Sequence, residues 1–149
     1  MFAGAGLVLE DTRARAERSG LEHRISFPGE LNRQQVSALL SDADIFLLVS
    51  AWEGLPGSVM EAMAASLPVV GTDVNGINEL VLHGETGLLA PAGDSDAIAK
   101  ALKLLLEDRA LRLEMGRKGR IRIEQEFDLK RTTRKLEEFY SRIARPLRS

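Results

Sequence analysis

DIFLLVSAWEGLPGSVMEAMAASLPVVGTDVNGINE, Asp44–Glu79, reads as strand, loop, helix, strand and loop. Ile45–Val49 is an apolar run of strand length, and Ser50–Gly54 breaks it. Pro56 sits where a helix tolerates proline, because the N–H groups of a first turn have no intrahelical acceptor. With Pro56 in that first position, the helix Gly57–Ala65 is expected to follow, with Val59, Met60, Met63 and Ala64 as candidate buried positions. Pro68–Thr72 is a second short strand. Two apolar strands around a small-residue helix make a βαβ unit, which predicts an α/β fold with a Rossmann-like parallel sheet flanked by helices. In such sheets ligands bind at the C-terminal ends of the strands, where the loop and the helix start lie.

Two carboxylates stand in that unit, Glu53 in the loop and Glu61 one turn into the helix. A carboxylate accepts two hydrogen bonds from a vicinal diol, and sugar hydroxyls offer such pairs. The amides near Gly57, Ser58 and Val59 open the helix and favour a phosphate or a hydroxyl oxygen, aided by the helix dipole. The chemistry points to a ligand with sugar hydroxyls and negative charge. Two glutamates at this spacing also arise by chance, as a solvated loop residue and a helix-face residue.

Composition bounds the rest. The 149 residues suit one domain, with a net charge of −2 that argues against a general nucleic-acid binder. There is no cysteine, hence no disulfide and no thiolate ligand or nucleophile. Two histidines, His23 and His83, are too few and too far apart for a zinc cluster, so no metal is expected. No apolar run reaches membrane-span length and no secretory pattern opens the chain, so the expected location is cytoplasmic. Residues 1–108 carry 7 basic and 16 acidic side chains, and residues 109–149 carry 13 and 6. The basic helical tail from about 109 to 149 is a solvated face balancing an acidic body, or a surface for anionic lipid or RNA, which leaves the membrane periphery open.

Helices are expected over Leu7–Ser19, Arg33–Ala43, Asp96–Leu106, Arg109–Phe127 and Leu129–Ala144, with short strands at Arg24–Phe27 and Gly87–Pro91. Asp94 or Ser95 is the cap of the third of these helices. Gly4-Ala5-Gly6 is not a dinucleotide fingerprint, because the third glycine is replaced by Leu9 and almost no strand precedes it. The loop Thr72–Glu79 is rich in glycine and small polar residues, which let its backbone approach a ligand.

SAWEGLPGSVMEAMAASLPVVGTDVNGINELVLHGETGLLAPAGD, Ser50–Asp94, closely resembles the nucleotide-sugar half of the family 4 (group 1) glycosyltransferases of the GT-B fold. The likeness extends upstream through DADIFLLVS and downstream into the helical tail. It implies a C-terminal donor-binding domain of a retaining, hexosyltransferase-type enzyme that moves a sugar from a nucleotide-diphosphate sugar to an acceptor. It implies that Glu53 is the catalytic residue and holds the transferred sugar, and that Glu61 accepts from the ribose hydroxyls. Gly54, Leu55, Pro56, Gly57 and Ser58 would line the sugar and phosphate, and Phe27, Gly29 and Leu31 the base. No cofactor or metal is implied beyond the donor itself.

Departures from the family pattern matter. The acceptor half is absent, and so is the first strand–helix unit of the donor half, which in the family carries a phosphate-neutralising arginine and lysine. Gly57 replaces a frequent asparagine, and Ser66 stands where glycine is usual. In the family's sheet the absent strand is central. Losing it orphans several ladder hydrogen bonds at about 0.5–1.5 kcal/mol each, comparable in sum with a domain's stability of about 5–15 kcal/mol. The chain is therefore expected to be marginal or oligomeric by itself and inactive in isolation. The implied partners are the donor, an unidentified acceptor, the acceptor domain or a chain supplying it, and a second copy. The readings that stay open are a nucleotide-sugar-binding module without turnover, a nucleotide-sugar epimerase of the same fold, and a docking protein acting through the basic tail.

Overall fold

A computed structural model of the chain describes residues 1–3 and 9–143, with backbone only at 129–132, 135 and 143. The chain forms two units, residues 1–42 and 43–149. The expectations for Gly4-Ala5-Gly6, for the helix start at Leu7, for the helix end at Ala144, and for the Leu129 and Ile143 side chains lie outside what is described.

The first unit contains helices α1 (Leu9–Arg18) and α2 (Arg33–Asp42). Ala16 is the buried residue of α1 and Leu40 that of α2. The strand expected over Arg24–Phe27 is not formed. An isolated parallel bridge joins Ala3 to Gly29, and the Phe2 N–H donates to the Ser26 carbonyl at 2.8 Å. A strand extends only as far as its partner, and the described partner ends at Ala3.

The second unit runs β1 (Phe46–Leu48), α3 (Gly57–Ala64), β2 (Val69–Thr72), α4 (Ile77–Leu80), β3 (Gly87–Ala90), α5 (Ser95–Glu107), α6 (Arg109–Glu126) and α7 (Leu129–Ile143). The strands form one parallel sheet in the order β1-β2-β3, with Phe46 opposite Val69 and Val69 opposite Gly87. All four residues of β2 are buried, as expected of a central parallel strand with both faces covered. On one face Val59 and Met63 of α3 pack with Val69, Ile77, Leu80 and Val81. On the other, Ile98 and Leu105 of α5 pack with Val70, Leu88, Ala90 and Met115.

Element ends follow local chemistry. The Asp94 side chain accepts the Ala97 N–H at 2.9 Å and opens α5. Asp108 does the same for α6 through the Leu111 N–H, also at 2.9 Å. Arg112 donates to the Leu105 carbonyl at 2.9 Å and pairs with Asp44 at 3.1 Å, closing the end of α5. Arg122 donates to the carbonyls of Leu80 and Glu79 at 2.9 and 3.0 Å, closing the end of α4. Pro56 is the residue before the helix, with ψ 112°, rather than its first residue. In α3 Ala62 is buried and Ala64 exposed, contrary to the expectation for Ala64; α6 meets α3 on the Met63 side, where Gly119 lies beside the Met63 side chain.

The C-terminus of α3 is closed by Ser66 at φ +62°, the one non-glycine residue with positive φ among the described residues. Its N–H donates to the Met63 carbonyl at 2.9 Å, and the Leu67 N–H donates to Ala62 at 3.0 Å, the paired bonds of a Schellman turn. A side chain in the left-handed region costs about 1–2 kcal/mol. Ser66→Gly is therefore expected to raise the stability of the 43–149 unit by about 0.5–1 kcal/mol, after the entropy that glycine adds to the unfolded chain. A urea midpoint that falls on substitution would refute this.

Candidate functional site

The C-terminal ends of β1 and β2 hold the candidate site. Thr72, last in β2 and 1% exposed, fastens the loop that leaves β1. Its Oγ1 donates to the Ser50 carbonyl at 2.7 Å and accepts the Ser50 N–H at 3.0 Å. Ser50 in turn donates from Oγ to Glu53 Oε1 at 2.6 Å. Glu53 is thus half-buried and held at one oxygen. The loop then crosses Gly76, whose α-carbon faces the Gly54 carbonyl so closely that any side-chain carbon would overlap it. Thr72, Ser50 and Gly76 were not singled out as site residues from sequence. The signal was present in the small residues of Thr72–Glu79, but what Gly76 approaches is the chain's own Gly54 carbonyl.

The loop delivers α3 with an open N-terminus. No side chain caps it at Pro56. The Val59 and Met60 N–H groups bond back to the Pro56 carbonyl at 3.1 and 3.3 Å. Val59 therefore has no amide to offer a ligand, contrary to expectation. The Gly57 and Ser58 N–H groups make no hydrogen bond among the described residues. Glu61 is exposed, as are Gly57 and Ser58, and it lies one turn along the same side of α3. Its carboxylate makes no hydrogen bond or ion pair among the described residues. Gly54 and Leu55 are exposed, and Pro56 is buried.

The charge around this helix start is one-sided. No lysine or arginine occurs between Arg33 and Lys100. Arg112 and Arg122 are spent on the ends of α5 and α4. From residues 34–99 themselves, positive potential at the α3 start comes from free amides and the helix dipole, worth about half a unit charge. His83 is a structural staple, accepting the Leu89 N–H at Nδ1 over 2.9 Å. No group of three metal-ligating side chains occurs among the described residues.

Phe27, Gly29 and Leu31 belong to the first unit. Phe27 stacks on Phe2 with centroids 5.5 Å apart, and the Arg13 guanidinium lies 5.4 Å from its ring. Arg13 also donates to the Phe27 carbonyl at 3.1 Å, so both ring and carbonyl have partners within that unit. Gly29 has φ +75°, and Leu31 is half-buried.

A parallel sheet whose strand ends lead into a fastened loop and an uncapped helix start defines an α/β protein of the Rossmann-like class. Residues 1–122 match the pattern of the group 1 glycosyl transferases, and the chain belongs to that family. It is 37% identical over 130 residues to the amylovoran biosynthesis glycosyltransferase AmsK of Erwinia amylovora, covering 83% of this chain and 32% of AmsK. The chain spans about a third of the length of the relatives it matches. Its fold matches HepE of Anabaena, solved in complex with UDP-glucose, with a TM-score of 0.85 and 26% identity over 95% of this chain and 40% of HepE. It also matches the C-terminal domain of the group 1 family protein LpcC of Francisella tularensis, with a TM-score of 0.75 and 23% identity over 84% of this chain and 66% of that domain. The fold is that of one half of a GT-B glycosyltransferase. Among the described residues no helix is long and apolar enough to cross a membrane.

Proposed function

We propose that the chain is the donor-binding part of a retaining glycosyltransferase that moves a hexosyl group from a nucleotide-diphosphate sugar to an acceptor, and that it is inactive in isolation. The observation that carries this reading is the α3 start: free Gly57 and Ser58 amides and the unpartnered Glu61 carboxylate share one exposed side, beside a Glu53 oriented by Ser50. In this reading Glu61 accepts the two ribose hydroxyls, and the open Glu53 oxygen accepts from the transferred sugar. The Gly57 and Ser58 amides take a phosphate or sugar oxygen. The free amides and acceptor carboxylates match the donor and acceptor character of a sugar phosphate. The fold neighbour HepE, which binds UDP-glucose, supports the ligand class.

The absence of basic side chains from Gln34 to Ala99 favours a second reading for the isolated chain, a weak binder without turnover. Each missing charge-assisted contact to the diphosphate removes about 1.5–3 kcal/mol. Both readings place the same carboxylate on the ribose. In calorimetric titration with uridine, guanosine and adenosine diphosphates and their sugars, one nucleotide is expected to bind best. Glu61→Ala is expected to weaken that binding about ten- to a hundredfold. The circular dichroism spectrum should not change, because Glu61 is exposed. Equal affinity of the two proteins removes Glu61 from the site. Conversion of free donor without acceptor would favour an epimerase.

A further inference from the structure

Trp52 is the chain's single tryptophan and, at 74%, the most exposed large apolar side chain among the described residues. Tryptophan is highly buried on average, because its ring has much apolar area to remove from water. Among the described residues its ring meets no other aromatic ring or guanidinium, and its indole N–H donates no hydrogen bond. The backbone that carries it is nonetheless fixed on both sides. Thr72 bonds the N–H and the carbonyl of Ser50, two residues before. Gly76 lies against the carbonyl of Gly54, two residues after. A ring held out on a fastened loop gives up little freedom when a ligand settles on it.

The next residue supplies the complementary chemistry. Ser50 holds one oxygen of the Glu53 carboxylate and leaves the other open. A pyranose ring needs an aromatic face and a hydrogen-bonding group side by side. Its faces are patches of C–H groups, whose slightly positive hydrogens are drawn to the negative face of an indole. Its rim is hydroxyls, which donate to a carboxylate and accept from an indole N–H.

We infer that Trp52 is a specificity-determining residue that stacks on the face of a pyranose ring, either the hexosyl group taken at Glu53 or a saccharide lying beside it. The inference rests on the reading that Glu53 accepts from a sugar. The surroundings argue against the other occupants of an exposed aromatic. A protein hot spot sits among apolar neighbours that exclude water. Trp52 is flanked by Ala51, Glu53 and Gly54, and the nearest large apolar side chains in sequence are Val49 and Leu55, three residues away on either side. A membrane surface carries negative charge. No lysine or arginine occurs between Arg33 and Lys100 to meet it, and Glu53 and Glu61 would be repelled.

The emission of Trp52 and its quenching by acrylamide report the site directly, since no other tryptophan contributes. The full 149-residue chain is titrated with UDP and UDP-glucose, GDP and GDP-mannose, ADP and ADP-glucose, and separately with maltose. Emission at shorter wavelength and protection from acrylamide are expected with a sugar-bearing ligand and not with the diphosphates. Protection by a nucleotide-sugar puts the transferred hexosyl group on the ring, and protection by maltose alone puts a separate saccharide there. Trp52→Ala should leave the circular dichroism spectrum unchanged, because the side chain is exposed and unpartnered. In calorimetry it should weaken the sugar-bearing ligand about tenfold more than the matching diphosphate, and Trp52→Phe, which keeps an aromatic face, should restore most of that loss. Equal weakening of a diphosphate and its sugar would put the nucleobase on the ring and overturn the inference. Sugar-bearing ligands that bind and leave the emission of Trp52 unmoved overturn it, as does silence toward maltose and all three nucleotide-sugars. Protection that grows with protein concentration alone would assign the ring to a second copy and overturn it too. If no nucleotide binds, the donor-binding reading fails, and maltose still decides the role of Trp52.

Discussion

Gly116→Ala is expected to destabilise the 43–149 unit by about 3 kcal/mol or more, while Gly119→Ala, three residues on, is expected to stabilise it by up to about 1 kcal/mol. Both glycines are buried in α6 on the side that meets α3. In an exposed helix each exchange would gain helix propensity, because alanine gives up less backbone freedom on folding than glycine. The surroundings split them. A β-carbon at Gly116 overlaps the Ser66 carbonyl oxygen and lies 2.8 Å from its carbon. That carbonyl belongs to the positive-φ turn closing α3, so it is backbone held by two hydrogen bonds and does not swing aside. The helices must separate instead, opening the packing around Met63, which is fully buried. At Gly119 the same β-carbon meets Met63 side-chain atoms at 3.6–3.8 Å, ordinary contact with a flexible neighbour. Urea unfolding of the two variants reads the difference directly. Gly116→Ala unfolding at the parent's midpoint would mean that α6 does not approach α3 this closely.

The same contact explains why some of the fold was legible in the sequence and some was not. Periodicity carried Ile45–Val49, Pro68–Thr72 and Gly87–Pro91, because an apolar run between small-residue breaks has few alternatives at strand length. Caps carried the start of α5, since the Asp94 carboxylate acts on an amide three residues away and needs nothing distant. What sequence missed depends on tertiary neighbours. Ala62 and Ala64 are identical residues, and only the packing of α3 against its tertiary neighbours decides which is buried. Arg24–Phe27 has a strand's residues without a strand's ladder. The family's usual glycine marks Ser66 in the sequence, but the reason, a φ of +62°, comes only from the structure. In the candidate site the glutamates and the open helix start were visible, as chemistry on the chain. The clamp that orients Glu53 was not, because Thr72 lies 22 residues from the Ser50 backbone it fastens.

The second large effect is expected at that clamp. Gly76→Ala should cost about 3 kcal/mol or more and abolish measurable nucleotide-sugar binding by what remains folded. Two separate penalties combine there. Gly76 has φ +83°, where a side chain costs about 1–2 kcal/mol by itself. Its missing β-carbon would also overlap the Gly54 carbonyl oxygen, 2.7 Å from that carbonyl's carbon and 3.0 Å from the Glu53 backbone carbonyl oxygen. Relief requires moving either the turn, which begins α4 and carries the fully buried Ile77, or residues 53–54. Moving the turn opens the core. Moving residues 53–54 pulls Glu53 from Ser50 and shifts the entry to α3 that Gly57 and Ser58 share. Gly84→Ala separates the two penalties, because Gly84 has φ +81° and nothing within 4 Å of the added carbon. It should show the conformational cost alone, about 1–2 kcal/mol, and leave binding intact. If Gly76→Ala unfolds at the midpoint of Gly84→Ala and binds as the parent does, the loop carrying Glu53 does not rest on Gly76, and the orientation of that carboxylate has another origin.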